Sequence, residues 1–273
     1  MTFPALPLDE WRETRDKLQG YAKVVGKIRQ ALSPPQKHWW HVSLRVDSVG
    51  LTTTPMPIHD RSLTILLDLV HHQTRLTTSQ GQTQPIPLEG QSVADFCQQV
   101  KAALVTLGLD FSFADDVCTE TAGGAYDETA VSHCWQALSQ IDLIFKQFRH
   151  GFRKESSPVQ LWPHHFDLAL LWFSGRLVPN QDPNDPEYAD EQMNFGFVTG
   201  DDSITDPYFY ATAYPTPPKF AEQPLPDGAY WHTAGWTGAI LPYTVLTQAT
   251  NPSDKLLDFL QTTQQAGARF MRS

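Results

Sequence analysis

The sequence predicts an α+β protein, a mostly antiparallel sheet packed by long helices and built as two similar halves. Three observations carry this expectation. Long stretches repeat apolar residues at helical spacing, while short apolar strands bounded by Gly, Pro and Ser come in runs between them. At 273 residues and 41% hydrophobic content, the chain can bury a large core as one domain or two packed halves. Residues 33–57 also echo residues 156–179: in each, a Ser-Pro turn follows a long helical pattern and leads into an aromatic-His segment and a strand. Setting His41 on His165 places Val42 on Phe166, Ser43 on Asp167, Leu44 on Leu168 and Val46 on Leu170. We read an internal duplication, with residues 1–113 as the first α+β half, 114–127 as a linker and 128–273 as the second half. The spacing between the echoes is too long for a solenoid repeat and gives a two-fold pseudo-repeat instead.

The first helix begins near Leu8, with Asp9 and Glu10 where the helix dipole favours acids. Trp11, Leu18, Tyr21, Val25, Ile28 and Leu32 form its apolar stripe, and Ser33-Pro34-Pro35 stops it. A strand is expected next, with His41, Ser43, Arg45 and Asp47 on one face and Val42, Leu44 and Val46 on the other. Residues 63–70, 73–78 and 84–88 read as further strands. Ser92 caps a second helix with Asp95 three residues on, and Gly108 ends it. Residues 111–113 read as a short edge strand. The acidic, Gly-containing stretch 114–127 follows.

Asp127 caps the third helix, whose stripe is Val131, Cys134, Trp135, Leu138, Ile141, Phe145 and Phe148. Residues 165–173 read as a strand covered on both sides, because both of its faces are apolar except at the start. Strands are expected at 194–198, 208–214 and 240–245, with an irregular Pro- and Gly-rich stretch at 215–235. Asn251 and Pro252 start a last helix with Leu256, Leu257 and Leu260 inward.

A net charge of −10 argues against nucleic acid or an anionic membrane as partner. No apolar run reaches membrane-spanning length, and the first residues lack the pattern of a signal peptide. Cys97, Cys118 and Cys134 are few, odd in number and not in a CxxC pair, so free thiols in a cytoplasmic protein are expected.

The string from Leu8 through Gly26-Lys27-Ile28, His38-Trp39-Trp40-His41 and Gly50-Leu51-Thr52-Thr53 resembles the start of a bacterial family of unknown function, numbered 5996. Ser157-Pro158-Val159, Phe166-Asp167-Leu168-Ala169, Phe173-Ser174-Gly175-Arg176, Phe209-Tyr210-Ala211, Tyr214-Pro215 and Phe259-Leu260-Gln261 continue the resemblance over nearly the whole chain. The resemblance implies membership and no assigned activity.

His164-His165-x-Asp167 is the sharpest chemical signal. Imidazole with carboxylate suits a divalent metal, and on a strand His165 and Asp167 share a face that His41 is able to complete as a third ligand. Alternatively, Asp167 orients His165 as a general base. The bland reading is a structural His–Asp hydrogen bond at a strand end. Arg176 is the expected anion clamp, and Trp40, Trp162 and Tyr210 the expected pocket walls. His71-His72 reads as a solvated strand end, and the acids between 177 and 218 as a solvated loop that is also able to offer oxygen ligands. G-x-S-x-G, Walker, G-x-G-x-x-G and H-E-x-x-H patterns are absent from the sequence. The expectation is an enzyme acting on a small molecule through a His/carboxylate site. The alternative is a non-catalytic binding or scaffold protein.

Overall fold

In the computed structural model, which describes residues 2–271, the chain forms two compact units, each discontinuous in sequence. The N-terminal unit comprises residues 9–135 and 160–166. The C-terminal unit comprises the residues up to Leu8, 136–159, and those from Asp167 onward. Both combine helices with antiparallel sheet, as the sequence predicts.

In the N-terminal unit, α1 (Leu8–Leu32) buries Trp11, Leu18, Tyr21, Val25 and Ile28. It is followed by a 3₁₀ segment (Lys37–Val42), not by the strand expected from His41. The reason is local: His38 and Trp39 adopt left-handed φ of 51° and 56°, and two such residues in succession cannot belong to an extended chain. Only β1 (Arg45–Val46) remains of that strand. The sheet continues with β2 (Gly50–Thr52), β3 (Met56–Ile58), β4 (Arg61–Asp68), β5 (Gln73–Thr78) and β6 (Thr83–Pro87). Its order is β1-β2-β4-β5-β6, with β3 also paired to β4.

Leu63, Ile65 and Leu67 alternate inward along β4 and are joined in the core by Leu76 and Ile86. In α2 (Val93–Thr106), the Ser92 hydroxyl accepts the Asp95 N–H at 3.0 Å, the expected cap. A Cβ at Gly20 would lie 2.4 Å from Val93 Cγ2, so this glycine lets α1 and α2 pack closely. Residues 111–113 form no strand. Residues 114–127 lie on α1, held by Lys17 to Glu120 at 2.6 Å and Lys27 to Asp116 at 3.0 Å. A distant segment, β7 (Gln160–Trp162), joins this unit, with Leu44 and Leu161 exchanging both backbone hydrogen bonds at 2.8 Å.

The expectation of three free thiols is overturned. Cys97 and Cys118 form a disulfide with their Cα atoms 5.9 Å apart, and only Cys134 is free among the described residues. The pairing is invisible in cysteine spacing because it depends on how the 114–127 segment folds back onto α2. It also removes the cysteine argument for a reducing compartment. Burial pushes the Cys134 thiol up to about 12, leaving it an inert core group.

The C-terminal unit takes residues 136–150 from α3 (Glu128–His150), a helix capped by Asp127 Oδ1 on the N–H groups of Thr129 and Ala130. Its strands are β8 (Asp167–Leu177), β9 (Asp190–Val198), β10 (Tyr208–Tyr214), β11 (Tyr230–His232) and β12 (Gly238–Pro242). Within the unit they lie in the order β8-β9-β10-β12-β11, every pairing antiparallel. The strand expected at 240–245 stops early. Pro242 has no N–H for a ladder, and the chain turns into α4 (Tyr243–Thr247) before α5 (Pro252–Phe270).

One face of this sheet is apolar, with Leu168, Leu170, Phe195, Phe197, Phe209 and Leu241 in the core. Helices cover it: Phe148 meets Phe195 at 5.0 Å, and Tyr243 meets Phe197 at 5.4 Å. The opposite face is mixed, with Asp167, Asn194 and Gln192 set among Leu171, Phe173, Val198 and Ile240.

The two units share one hydrogen-bond signature. Thr53 N–H donates to Ile65 O at 3.0 Å, Ile65 N–H returns to Thr53 Oγ1 at 3.0 Å, and that hydroxyl donates to Thr54 O at 2.8 Å. Ser157 N–H donates to Leu171 O at 2.9 Å, Leu171 N–H returns to Ser157 Oγ at 2.8 Å, and that hydroxyl donates to Pro158 O at 2.8 Å. The preceding residues also correspond, Thr52 opposite Leu66 and Ser156 opposite Trp172. This signature sets Thr53 against Ser157, a different register from the His41-on-His165 alignment read from the sequence.

Candidate functional site

The make-up of the Asp167-bearing face of the C-terminal sheet follows from strand register. Tyr210 lies opposite Gly196, and Gly196 opposite Ala169, so all three share a face with Asp167, Asn194 and Gln192. Asp167 is on β8 and Tyr210 on β10, with β9 between them. The phenol reaches across and donates to Asp167 Oδ2 at 2.6 Å, with both residues buried. Gly196 makes this crossing possible, since a Cβ there would lie 2.4 Å from the Tyr210 ring. Burial holds the Tyr210 phenol well above its usual range, and the Asp167 charge and hydrogen bond act the same way. A hydrogen bond from the Asn194 side chain opposes them without prevailing. Tyr210 is therefore a neutral donor to a carboxylate.

Tyr208, two residues earlier on the same face, donates to Asp201 Oδ2 at 2.6 Å, and Val198, Tyr208, Tyr210 and Ile240 form one buried cluster. Asp201 Oδ1 receives the N–H groups of Ser203 and Ile204. Burial alone would raise the Asp201 carboxyl, but these hydrogen bonds hold it below the ordinary value. Two acceptors on the face have no partner among the described residues: Asn194 Oδ1 and Gln192 Oε1 are buried atoms without a hydrogen bond. A buried amide oxygen left so is costly, which marks a place where another donor belongs.

Of the residues singled out in the sequence, the structure brings together Asp167 and Tyr210. His165 is not on the strand with Asp167. It is exposed in the turn before β8, which Phe166 closes with φ 54° and an N–H to Trp162 O at 2.8 Å. The alternation argument fails there because the strand begins only at Asp167. His164 is exposed in the same turn, and its carbonyl accepts from Gln19 Nε2. Desolvation, then Lys23, His165 and Lys27, hold its imidazole below the ordinary value.

Arg176 is exposed at the far end of β8, its Nη1 3.4 Å from Met271 O. Nine residues along a strand place it roughly 30 Å from Asp167, too far for an anion clamp there. Trp40 and Trp162 are half-buried in the N-terminal unit. His41 is buried in the 3₁₀ segment, and its Nδ1 accepts the Gln36 N–H at 3.2 Å. Among the described residues no group of three or more His, Cys, Asp or Glu side chains is placed to hold a metal, so the set His41, His165 and Asp167 gains no support from geometry.

The acids between 177 and 218 include several that cap local backbone. Asp182 Oδ1 takes the Asn184 N–H, and Asp185 Oδ1 takes those of Glu187 and Tyr188. In the N-terminal unit, buried Asp68 receives the N–H groups of Val70 and His71, the His71 ring and Arg75 Nη2 at 3.0 Å. Burial alone would raise its carboxyl, but the His71 and Arg75 contacts hold it below the ordinary value. This carboxylate is so fully partnered that its place is structural. The sequence reading missed Gly196, Asn194 and Gln192. A glycine between Phe195 and Phe197, in the middle of a strand, was the available signal.

Among the described residues no helix is long and apolar enough to cross a membrane. No curated protein and no solved structure matches the chain. A family model does match, over residues 3–272, so the chain belongs to the family of unknown function DUF5996.

Proposed function

We propose that the protein binds a small polar molecule on the Asp167-bearing face of β8, β9 and β10, and that this ligand carries hydrogen-bond donors, as an amine or a polyol does. The carrying observation is the pair of buried amide oxygens on Asn194 and Gln192 without partners among the described residues, on the face that also bears Asp167. Two amide acceptors and a carboxylate on one face favour a donor-rich or cationic ligand over an anionic one. A second, catalytic reading keeps Asp167 as the general base of a small-molecule enzyme. It is favoured by the 2.6 Å bond from Tyr210, which holds the carboxylate in one orientation on the face. Neither reading uses His165 or a metal.

The test measures thermal shifts of the full chain against a panel of primary amines and polyols, for wild type, Asn194→Ala, Gln192→Ala and Asp167→Asn. A panel member should stabilise the wild type, and both amide truncations should weaken that shift. Asp167→Asn should abolish an amine response and spare a polyol response. A panel that shifts wild type and the amide variants equally, or shifts nothing, rejects the reading.

A further inference from the structure

Arg29 lies in the last turn of α1 and is 7% exposed, yet its Nε and Nη1 have no hydrogen-bond partner among the described residues. A cation suits a helix C-terminus, where the dipole is negative. That accounts for a positive charge there but not for two N–H donors left without acceptors in the interior. The charge acting on it is another cation, Arg45 on β1. Burial, then Arg45, lowers its guanidinium to about 10, so it remains charged at neutral pH.

The last turns of α1 face the 3₁₀ segment directly. A Cβ at Gly26, nearly one turn before Arg29, would lie 3.4 Å from Val42 O. That segment brings His41, whose imidazole is held below its ordinary value by burial and by the Arg29 charge. With Nδ1 accepting from Gln36, the neutral ring carries its proton on Nε2 and is a further donor. A third orphaned donor is tied to the same segment. Gln160 Nε2 is buried without a partner among the described residues, while Gln160 Oε1 accepts from the hydroxyl of Ser43 at 2.8 Å. Two arginines, an imidazole N–H and an amide N–H thus gather in the N-terminal unit. No carboxylate forms an ion pair with Arg29 among the described residues.

We propose that Arg29, with Arg45 and His41, forms a binding site for an oxyanion group, the phosphate or carboxylate of a small molecule. Each of these two donors shares an edge of the planar guanidinium with Nη2, Nε along its side and Nη1 at its tip, and either edge is a fork that matches two oxygens of such a group, which explains why an arginine stands there. Burial strengthens the contact and excludes competing water. The site shares no residue with the Asp167-bearing face of the C-terminal sheet, and its ligand is of opposite chemistry.

The test uses the full chain at constant ionic strength, titrated with inorganic phosphate, sulfate or malonate against a chloride control. Arginine Nε–H resonances and melting temperature are the readouts. At least one of the three anions should give a saturable shift of one arginine Nε–H signal and a rise in melting temperature. The shifted signal should be missing from Arg29→Lys, with apparent affinity lower by about ten- to a hundredfold. A response to phosphate and sulfate alone assigns the site to a phosphate group, and a response to malonate alone assigns it to a carboxylate. The absence of a saturable response in the wild type, or an equal response in Arg29→Met, overturns the proposal. If Arg29→Met does not fold, the resonance titration of the wild type decides alone.

Discussion

Gly196 shows how one missing side chain fixes a polar contact. Tyr210 and Asp167 are two strands apart, and their hydrogen bond exists because the strand between them offers a flat path for the ring. A methyl group at that point has nowhere to go, since its near neighbours are ring atoms and the phenol oxygen itself. Overpacking of this kind costs about 1–3 kcal/mol. Gly196→Ala should therefore destabilise the protein by about that amount, and Tyr210→Ala should relieve most of the penalty. A double-mutant cycle in denaturant measures the coupling. Additive effects of the two substitutions would mean that the ring does not lie on Gly196. Arg29 shows the opposite case at the same scale: a side chain is present and buried, and its Nε and Nη1 lack acceptors among the described residues.

The elements were largely legible in the sequence because their signals are local. Ser92 and Asp127 announce two helices and cap them. The Leu63, Ile65 and Leu67 alternation gives β4, and the doubly apolar run after Asp167 gives β8. Elements shorter than four residues were missed: β2, β3, β7 and β11 have too few positions for a period to show. The candidate site was half legible. Asp167 and Tyr210 stood out as chemistry in apolar strands, but their pairing depends on register across β9, which no local pattern carries.

The shared hydroxyl signature was also out of reach of pattern, and it tests the duplication better than histidine spacing does. Thr53 and Ser157 are both fully buried, and each hydroxyl accepts a strand N–H while donating to the next carbonyl. Thr53→Val and Ser157→Ala should each cost about 1–3 kcal/mol, because each leaves a buried N–H unpaired. Thr53→Ser and Ser157→Thr should each cost much less, since the hydroxyl remains. Equilibrium unfolding of the four variants checks this, and unequal losses for the two truncations would argue against a common role.

At the scale of the whole chain, the least expected feature is the Cys97–Cys118 link. Composition suggested thiols, because three scattered cysteines in an acidic chain have no framework pattern. The fold supplies what spacing could not. Residues 114–127 are pinned to α1 by Lys17–Glu120 and Lys27–Asp116, and Ala94 donates its N–H to Glu120 O at 2.9 Å beside α2. Those contacts bring Cys118 back to Cys97, in the first half of α2, across a separation of 21 residues. Closing a loop of that size restricts the unfolded chain by about 3 kcal/mol in the chain-entropy account. Thiol titration of the denatured protein should therefore count one reactive group without reductant and three after reduction. Reduction should lower the unfolding free energy by about 2–4 kcal/mol. Cys97→Ala/Cys118→Ala should show the same loss and no further response to reductant. A count of three thiols in the untreated protein would show that the link does not form, and the 114–127 segment would then rest on its ion pairs and backbone hydrogen bonds alone.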